Sequence, residues 1–424
     1  MNTNKQFIAV DLGSSRISIM AAEMQEDGAI KILSEESKPS DDIKCGIVKQ
    51  ATGAAFKVNE LKMYLQNSSA IKDISTVSVS IGAKTMKHQN KSVSRFIGTP
   101  NLVTEQLLAD MVYDCKRQSE QANITIFEAI PLSFELDGKI IENPIGQTGK
   151  QITANYQLII GDSLIKTKLE DCFDRTGIHI ETTPLAIEAL STVLLEDGER
   201  AEGCALINLG ATTSTLAVYH EGTLKSMMVV PLGAKNITKD IEELGISFAN
   251  AERLKCLKGS AIESLVTDPI FVQIPSSTAE QPPVRISTQF LATIIEARLE
   301  EILQPIFETI DQLPFALGAG IVVSGGGSKL AGIKEFIEIK TSIYTRFGNH
   351  ADWLSDDTSE HFFDPCYAQS IGTILLTSEY RKQHPIIEET NHPVKTPKIP
   401  GKGNKFTDKI ANGFLNFFSD ENKI

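Results

Sequence analysis

The stretch FIAVDLGSSRISIMAA, residues 7–22, shares its pattern with CALINLGATTSTLAVY, residues 204–219. Each is an apolar run, a polar residue, a glycine turn with small hydroxyl residues and a second apolar run, which predicts a β-hairpin. Asp11 aligns with Asn208, 197 positions later. One such hairpin is common and indicates no ligand. Two matched copies half a chain apart predict a duplicated α/β domain whose two turns face each other.

The residues of these turns have the chemistry of a polyphosphate site. Glycine lets the backbone approach an anion closely and adopt a positive φ, and successive N–H groups form an anion-binding concavity. The carboxylate of Asp11 would repel a phosphate directly, so we expect it to hold a water or a Mg²⁺ that bridges phosphate oxygens. The predicted cofactor-binding residues of the two turns are Gly13, Ser14, Ser15, Arg16, Asn208, Gly210, Thr212 and Thr213.

A third segment, GIVVSGGGSKLAG at residues 320–332, runs from an apolar strand into three glycines and a helix start. We expect Gly325, Gly326 and Gly327 to contact a nucleotide near the helix N-terminus; the alternative is a plain strand–turn–helix. The three segments together resemble the actin/Hsp70/sugar-kinase ATPase superfamily, whose phosphate 1, phosphate 2 and adenosine motifs occur in this order. The resemblance implies ATP and Mg²⁺ in a cleft between two ribonuclease H-like domains.

The bulk composition limits the other possibilities. A chain of 424 residues is long enough for two to four domains. A net charge of −13 argues against nucleic-acid binding through a basic surface. The six cysteines have no CxxC spacing, which predicts reduced thiols in a cytosolic protein and no zinc site. We expect no signal peptide, and no apolar run approaches the roughly 18 residues that a membrane-spanning helix needs.

Residues 76–164 do not resemble the corresponding part of actin. Alternation of Val77, Val79 and Ile81 predicts a half-buried strand, and Thr104 is placed to cap a helix that precedes further strand-like runs. The fragments IPLSFELDGKIIENPIG (residues 130–146) and IGAK (residues 81–84) resemble the insertion of the bacterial cell-division protein FtsA, called subdomain 1C. This insertion separates FtsA and its pilus-assembly relative PilM from actin, MreB and Hsp70.

The resemblance to FtsA implies a division of the whole chain. The expected parts are residues 1–75 and 165–203 as subdomain 1A, 76–164 as the inserted 1C, 204–241 and 313–364 as 2A, 242–312 as 2B, 365–383 as the closing helix of 1A, 384–404 as a flexible linker and 405–419 as a membrane-targeting amphipathic helix.

The resemblance also suggests roles for residues outside the three motifs. Glu188 lies on the predicted connecting helix, where several superfamily members orient the attacking water; the alternative is a solvated helix residue. Glu252 and Lys255 resemble a Glu-x-x-Lys element that flanks ribose and adenine, unless they form a surface ion pair. Arg298, in the sequence IEAR, resembles part of the 2B groove for the FtsZ tail, where an exposed arginine would meet an acidic peptide. A plain surface arginine is the alternative.

The second turn departs from the superfamily pattern, Asp-x-Gly-Gly-Gly-Thr-x-Asp. Asn208 and Thr215 replace both acids. Asparagine cannot act as a base or supply charge to Mg²⁺, and a water-activating carboxylate typically contributes about 10²–10⁴-fold to rate. We therefore expect ATP binding with weak or absent hydrolysis.

The C-terminal stretch KFTDKIANGFLNFFS, residues 405–419, follows a proline- and glycine-rich segment. Helical spacing gathers its large apolar residues on one face, which favours a helix lying in a membrane surface; a helix docked on the globular body is the alternative. The predicted membrane-contacting residues are Phe406, Ile410, Phe414, Phe417 and Phe418, with Lys405 and Lys409 reaching anionic headgroups.

The resemblance implies an actin-like cell-division protein at the cytoplasmic side of the inner membrane. It would bind ATP, polymerise, hold the FtsZ ring to membrane lipid through the FtsZ C-terminal tail and recruit later division proteins. Two alternatives stay open. A PilM-like pilus-assembly scaffold shares the insertion but ordinarily lacks the anchor. A sugar or acetate kinase of the same superfamily would require an acid on the substrate side and no membrane helix.

Overall fold

The computed structural model describes residues 6–68, 71, 73–119, 121–277 and 282–384, without the side chains of residues 99 and 100. The chain forms two units. Of the described residues, the first unit comprises those up to Lys84 together with those of Leu164–Ser378, and the second comprises those of Thr85–Ser163 and 379–384. The predicted helix at residues 405–419 and nearly all of its linker lie outside the described residues.

The first part of the first unit begins with the predicted hairpin. Its elements are β1 (Gln6–Leu12), β2 (Arg16–Met24), β3 (Ile30–Pro39), β4 (Ile43–Lys44), β5 (Ile47–Val48), α1 (Ala51–Ser68) and β6 (Thr76–Val79). β1 pairs antiparallel with β2, and Leu12 lies opposite Ile17, which leaves a turn of residues 13–16. Residues of both strands are buried, as expected for a strand pair inside an α/β domain.

The second unit is a four-stranded antiparallel sheet with one helix. Its elements are β7 (Lys87–Leu102), α2 (Glu105–Ser119), β8 (Ile124–Leu136), β9 (Lys139–Ile141) and β10 (Thr148–Asp162), with the strand order β7-β10-β8-β9. The Thr104 hydroxyl accepts a hydrogen bond from the Leu107 N–H at 3.2 Å, which confirms the predicted helix cap. Leu108 and Met111 of α2 share the unit's core with Phe134 and Tyr156.

The inserted unit begins later than the sequence suggested. The chain continues with α3 (Leu164–Asp174), β11 (His179–Thr182), α4 (Ala186–Leu194) and α5 (Asp197–Glu202). β6 lies between β1 and β11 and pairs parallel with both, so it belongs to the five-stranded sheet of the first unit. The predicted start of the insertion at residue 76 is therefore wrong, and the second unit begins at Thr85. Alternation predicted the strand but not the sheet that it joins.

The rest of the first unit repeats this topology. Its elements are β12 (Cys204–Leu209), β13 (Ser214–His220), β14 (Thr223–Val230), α6 (Ala234–Glu242), α7 (Phe248–Lys258), β15 (Phe271–Ile274), β16 (Val284–Ser287), α8 (Thr288–Asp311), β17 (Gly320–Ser324), α9 (Ile333–Thr341), β18 (Thr345–Phe347) and α10 (Ala368–Gln383).

The two five-stranded sheets have matching orders. The first, read from β3, is β3-β2-β1-β6-β11, and the second is β14-β13-β12-β17-β18. In both, two antiparallel pairings are followed by two parallel ones. Leu209 lies opposite Ser214, so the second turn also has four residues, each 197 positions after its counterpart in the first. The predicted duplication is confirmed by this repeated topology.

The helix α10 packs tightly on α4 in the first unit. A Cβ built on Gly372 would lie 1.8 Å from the backbone oxygen of Ala189, so the two helices meet backbone to backbone. Further along α10, the hydroxyl of Thr377 lies 3.1 Å from that of Thr182, which also donates a hydrogen bond to the Ser78 hydroxyl at 2.9 Å. This packing fixes the position of Gln369 one turn earlier in α10. Within the described part of the chain, no helix is long and apolar enough to cross a membrane.

The close approach of α10 to α4 predicts that a glycine-to-alanine substitution at this contact destabilises the protein, whereas the same substitution elsewhere does not. Gly372→Ala should lower the free energy of unfolding by about 1–3 kcal/mol or more, since the backbone cannot yield as a side chain can. Gly198→Ala, in the helix α5 with open space around its Cβ, is the matched control. It should be neutral or stabilising by up to about 1 kcal/mol. Thermal and urea denaturation of both variants measure this difference, and equal midpoints would contradict the contact.

Candidate functional site

A cavity of about 730 Å³ in the first unit is lined by residues from both sheets. This volume falls in the range of roughly 300–1,000 Å³ that small-molecule sites occupy. The structure brings to this cavity all of the residues that the three motifs and the Glu-x-x-Lys element nominated. They are Asp11, Gly13, Ser14, Ser15, Arg16, Asn208, Gly210, Thr212, Thr213, Glu252, Lys255, Gly325, Gly326 and Gly327. Segments more than 300 residues apart in sequence therefore meet at one site.

The glycines of the two hairpin turns are required by the turns themselves. A Cβ on Gly13 would lie 2.7 Å from the carbonyl oxygen of Arg16, and one on Gly210 would lie 2.9 Å from that of Thr213. Neither glycine has a positive φ. The Gly210 N–H donates to the Thr213 oxygen at 2.9 Å and closes the second turn. These glycines thus permit a tight four-residue closure rather than a left-handed backbone.

The two turns touch through their hydroxyl groups. Thr212 Oγ1 donates a hydrogen bond to Ser14 Oγ at 2.7 Å, and the backbone N–H of Cys45 donates to Thr212 Oγ1 at 3.0 Å. Each hydroxyl can rotate toward another acceptor without moving the backbone. The facing turns therefore present a pair of hydroxyls to any anion that enters between them.

The glycines of the third segment have two different roles. A Cβ on Gly325 would lie 2.4 Å from Asn208 Oδ1, and one on Gly327 would lie 2.4 Å from Leu209 Cγ. Both are needed for the packing of this turn on β12. A Cβ on Gly326 would meet only Cys366 Sγ within 4 Å, at the ordinary distance of 3.5 Å. Gly326 is thus the glycine of the three whose backbone is left open toward the cavity.

Asp11, at the end of β1, is held by a residue that the sequence did not single out. Gln369 Nε2 donates hydrogen bonds to Asp11 Oδ1 and to Ser80 Oγ, both at 2.9 Å. Burial raises the pKa of Asp11 to about 6, against the opposing positive charge of Arg16. Gln369 carries no motif signal, because its role depends on where α10 returns to the first sheet. Only the structure reveals it.

Glu252 and Lys255 form a network at the cavity wall. The buried ammonium of Lys255 donates to the Ala234 oxygen at 3.1 Å and to Thr238 Oγ1 at 2.8 Å, and pairs with Glu252 Oε2 at 2.7 Å. Thr238 also donates to the Glu252 carboxylate. Desolvation opposes the charge of Glu252, but the hydrogen bonds from Lys255 and Thr238 hold its pKa below the ordinary value. The pair is therefore a half-buried part of the site and not a surface ion pair.

Glu188 does not reach the cavity. On α4, Ala186 and Leu190 line it, and these lie four residues apart on one helix face. Glu188 lies midway between them in sequence, so the 100° turn per residue places it on the opposite side of the helix. Its predicted place beside an attacking water is wrong for this structure.

Arg298 is not among the residues that line the cavity, and its guanidinium is already paired with carboxylates. Its Nη2 donates to Asp240 Oδ1 at 2.7 Å, its Nε donates to the other oxygen of the same carboxylate, and its Nη1 pairs with Glu301. The side chain is 26% exposed. The expected exposed arginine is therefore wrong: two carboxylates of the chain already neutralise its charge.

No group of three or more His, Cys, Asp or Glu side chains within the described residues is arranged to hold a metal ion. Asp11 therefore faces the cavity without a preformed cluster of acidic metal ligands among the described residues. Mg²⁺ is often bound by one or two carboxylates together with substrate phosphates and water, so Asp11 fits a cation that arrives with a polyphosphate.

Two family models match the chain. The model "Cell division protein FtsA" matches residues 205–372, and "SHS2 domain inserted in FTSA" matches residues 83–160. The chain is 29% identical over 354 residues to the "Cell division protein FtsA" of Bacillus subtilis, covering 78% of this chain and 76% of that protein. It is 25% identical over 419 residues to the protein of the same name from Borreliella burgdorferi, covering 96% and 98%.

Solved structures show the same architecture at low sequence identity. The "PilM-PilN type IV pilus biogenesis complex" matches with a TM-score of 0.62 and 14% identity, covering 88% of this chain and 98% of that one. MreB5 of Spiroplasma citri bound to ADP matches with a TM-score of 0.56 and 12% identity, covering 90% and 98%. These similarities establish an actin-like fold that carries an SHS2 insertion.

The raised pKa of Asp11 predicts how its replacement changes stability with pH. Ionising this carboxyl costs the native state more than the unfolded state, so the cost begins near the unfolded-state pKa of 3.8, grows with pH and is complete above about pH 6. Asp11→Asn keeps an acceptor for Gln369 but removes the charge. In nucleotide-free protein it should raise the free energy of unfolding by about 1–3 kcal/mol at pH 8. Urea denaturation of the variant and the wild type between pH 4 and 8 measures this gain in stability. A gain that does not change with pH would contradict the raised pKa of Asp11.

Proposed function

The chain belongs to the FtsA family of cell-division proteins, and we propose that it binds ATP with Mg²⁺ in its cavity as an actin-like component of the division machinery. The observation that carries this proposal is the meeting of the two hairpin turns and the Gly325–Gly327 turn around one cavity of about 730 Å³. No single segment would support it, since each alone is a common structural turn.

The residues present fit a polyphosphate. Arg16 lines the cavity, where its guanidinium, 5.0 Å from the centre of the Tyr367 ring, would supply positive charge to a phosphate. The Ser14 and Thr212 hydroxyls would turn from each other to the same anion. Gly326 would let the nucleotide lie directly on the backbone. Asp11 would hold Mg²⁺, which neutralises phosphate charge when bound.

Hydrolysis is proposed to be weak or absent. Of the described residues that line the cavity, Asp11, Asp41 and Glu252 are the acids. Asp11 is assigned to the cation. Asp41 is paired with Lys235, and Glu252 is engaged by Lys255 and Thr238. Asn208 and Thr215 line the cavity where the superfamily has carboxylates, and neither activates a water. Nucleotide binding without rapid turnover suits a ligand that stabilises an assembly-competent body.

The wider role follows from the family. We propose that the protein polymerises, anchors the Z ring through the FtsZ C-terminal tail, binds inner-membrane lipid from the cytoplasmic side at the septum and recruits later division proteins. The sequence of residues 405–419 supports the lipid contact. An acidic FtsZ peptide at Arg298 would have to compete with Asp240 and Glu301, so the groove's affinity would come mainly from other contacts.

A PilM-like scaffold is the second candidate, because the PilM–PilN complex has the same architecture. The two family models and the aromatic face predicted for residues 405–419 favour the division role. A kinase is disfavoured by the threonine at 215, where an acid would be needed.

Gly326→Val tests the nucleotide site. The turn tolerates a side chain here, so the variant should fold, while the added methyl groups enter the cavity and weaken binding of a fluorescent ATP analogue by about tenfold or more. Gly198→Ala, away from the cavity, should bind like the wild type. Thermal unfolding with and without Mg·ATP gives a second measurement. Unchanged affinity in a folded Gly326→Val protein would reject the placement of the nucleotide.

Vesicle co-sedimentation of the full chain tests the membrane role. Phe414→Glu with Phe417→Glu should abolish binding to anionic vesicles, because both residues belong to the predicted apolar face and each buried large apolar side chain contributes roughly 1.5–3 kcal/mol. The control, Asn412→Glu with Asn416→Glu, adds the same charge to the polar face and should retain more binding. Binding should also fall with salt, since each lysine near the surface adds about 1 kcal/mol. Persistent sedimentation of the phenylalanine variant would reject the anchor.

A further inference from the structure

We propose that Lys235 recognises the terminal phosphate of a bound nucleoside triphosphate by exchanging the carboxylate of Asp41 for it. This lysine was not among the residues that the motifs nominated. The inference rests on the proposed nucleotide binding and deepens it, because it names the residue that distinguishes a triphosphate from a diphosphate.

The backbone of Lys235 is attached to the second hairpin turn. Its N–H donates to the Ala211 oxygen at 2.8 Å, and the preceding N–H of Ala234 donates to the Gly210 oxygen at 2.9 Å. A Cβ on Gly233 would lie 2.5 Å from that same Gly210 oxygen, so the start of α6 lies directly on the turn. The lysine side chain lines the cavity. Its position is therefore set by the turn that would hold phosphate.

Asp41 is attached to the first hairpin turn in the same way. The N–H of the neighbouring Ser40 donates to the Ser15 oxygen at 3.0 Å, and Asp41 lines the cavity. The ammonium of Lys235 lies 2.6 Å from Asp41 Oδ1. This ion pair thus connects the two turns beside the contact between Ser14 and Thr212. A phosphate held between the two turns would therefore lie beside this ion pair.

The two partners of this ion pair are unequally exposed, which makes an exchange favourable. The Lys235 side chain is 23% exposed and its ammonium lies 5.6 Å from the ring centroid of Phe248, whereas the Asp41 side chain is 92% exposed. A half-buried ammonium needs an anionic partner, but an exposed carboxylate returns to water at little cost. A phosphate carries more charge than a carboxylate and would replace Asp41.

The competing explanation is that the Lys235–Asp41 ion pair has a purely structural role. The two explanations predict opposite effects of Asp41→Asn on nucleotide binding. If the ion pair only holds the cleft closed, Asp41→Asn should weaken nucleotide binding. If Asp41 competes with phosphate for Lys235, Asp41→Asn should strengthen triphosphate binding. A general effect of removing a negative charge near the cavity would strengthen binding whether or not Lys235 is present.

The experiment titrates the full chain with Mg·AMP-PNP and Mg·ADP by calorimetry. Lys235→Met should weaken triphosphate binding by about tenfold and diphosphate binding by less than about threefold, the scale of one charge-assisted contact. Asp41→Asn should strengthen triphosphate binding by about threefold, as expected on losing a solvent-exposed competitor. In the Lys235→Met background the Asp41→Asn change should have no effect.

Asp357→Asn is the matched control. Asp357 forms an ion pair of the same 2.6 Å length with Lys31, and neither residue is among those that line the cavity. It should leave both affinities unchanged. Weaker binding in Asp41→Asn, equal losses for both nucleotides in Lys235→Met, or a gain in Asp41→Asn that persists without Lys235 would each overturn the exchange. Failure of the wild type to bind either nucleotide would instead reject the proposed function.

Discussion

The hydrogen bond from Thr212 to Ser14 joins the turns of two hairpins that occupy equivalent places in two matching sheets. The bond itself is worth little, since a neutral hydrogen bond contributes roughly 0.5–1.5 kcal/mol net. Its importance is geometric. Each turn closes in four residues because its glycine leaves room for a carbonyl oxygen of the same turn. The position of each turn is set by β1 or β12, which pairs with a neighbouring strand on both sides. The cavity exists because two rigid hairpins end at the same place, so ligand groups are positioned by sheets and not by mobile loops.

A second set of contacts holds the sheets together at the opposite end of α4. Arg346 of β18 donates two hydrogen bonds to the Glu199 carboxylate, at 2.8 and 2.6 Å, and one to the Leu194 oxygen at 2.8 Å. The bidentate geometry and the added backbone acceptor make this arrangement stiffer than a single ion pair. A Cβ on Gly348 would lie 3.0 Å from Leu194, which shows how closely the chain packs there. These contacts therefore fix the two sheets relative to each other at this end of the first unit.

Much of the fold and the cavity was predictable because the signals are local. Glycine turns between apolar strands specify hairpins, and their repetition 197 positions apart specified the duplication. Local signals failed where distant parts of the chain meet. Thr76–Val79 alternates like a strand of the insertion but lies between two parallel strands of the first sheet. Arg298 finds Asp240, 58 positions away, and Gln369 reaches Asp11 from 358 positions away. The prediction for Glu188 failed because the sequence does not show which face of α4 points to the cavity.

In the proposed nucleotide site, the acids missing from the second turn would change what a bound nucleotide does to the protein. A ligand that contacts both hairpins stabilises the closed arrangement by its binding free energy, about 2.7 kcal/mol at a concentration of 100 times Kd. Rapid hydrolysis followed by product release would remove this stabilisation with every turnover. With Asn208 and Thr215 facing the cavity, the ligand would stay and act as a structural bridge between the sheets. Under the proposed exchange at Lys235, the site would discriminate between nucleotides by charge at equilibrium, and the number of phosphates would set how strongly the two turns are held together.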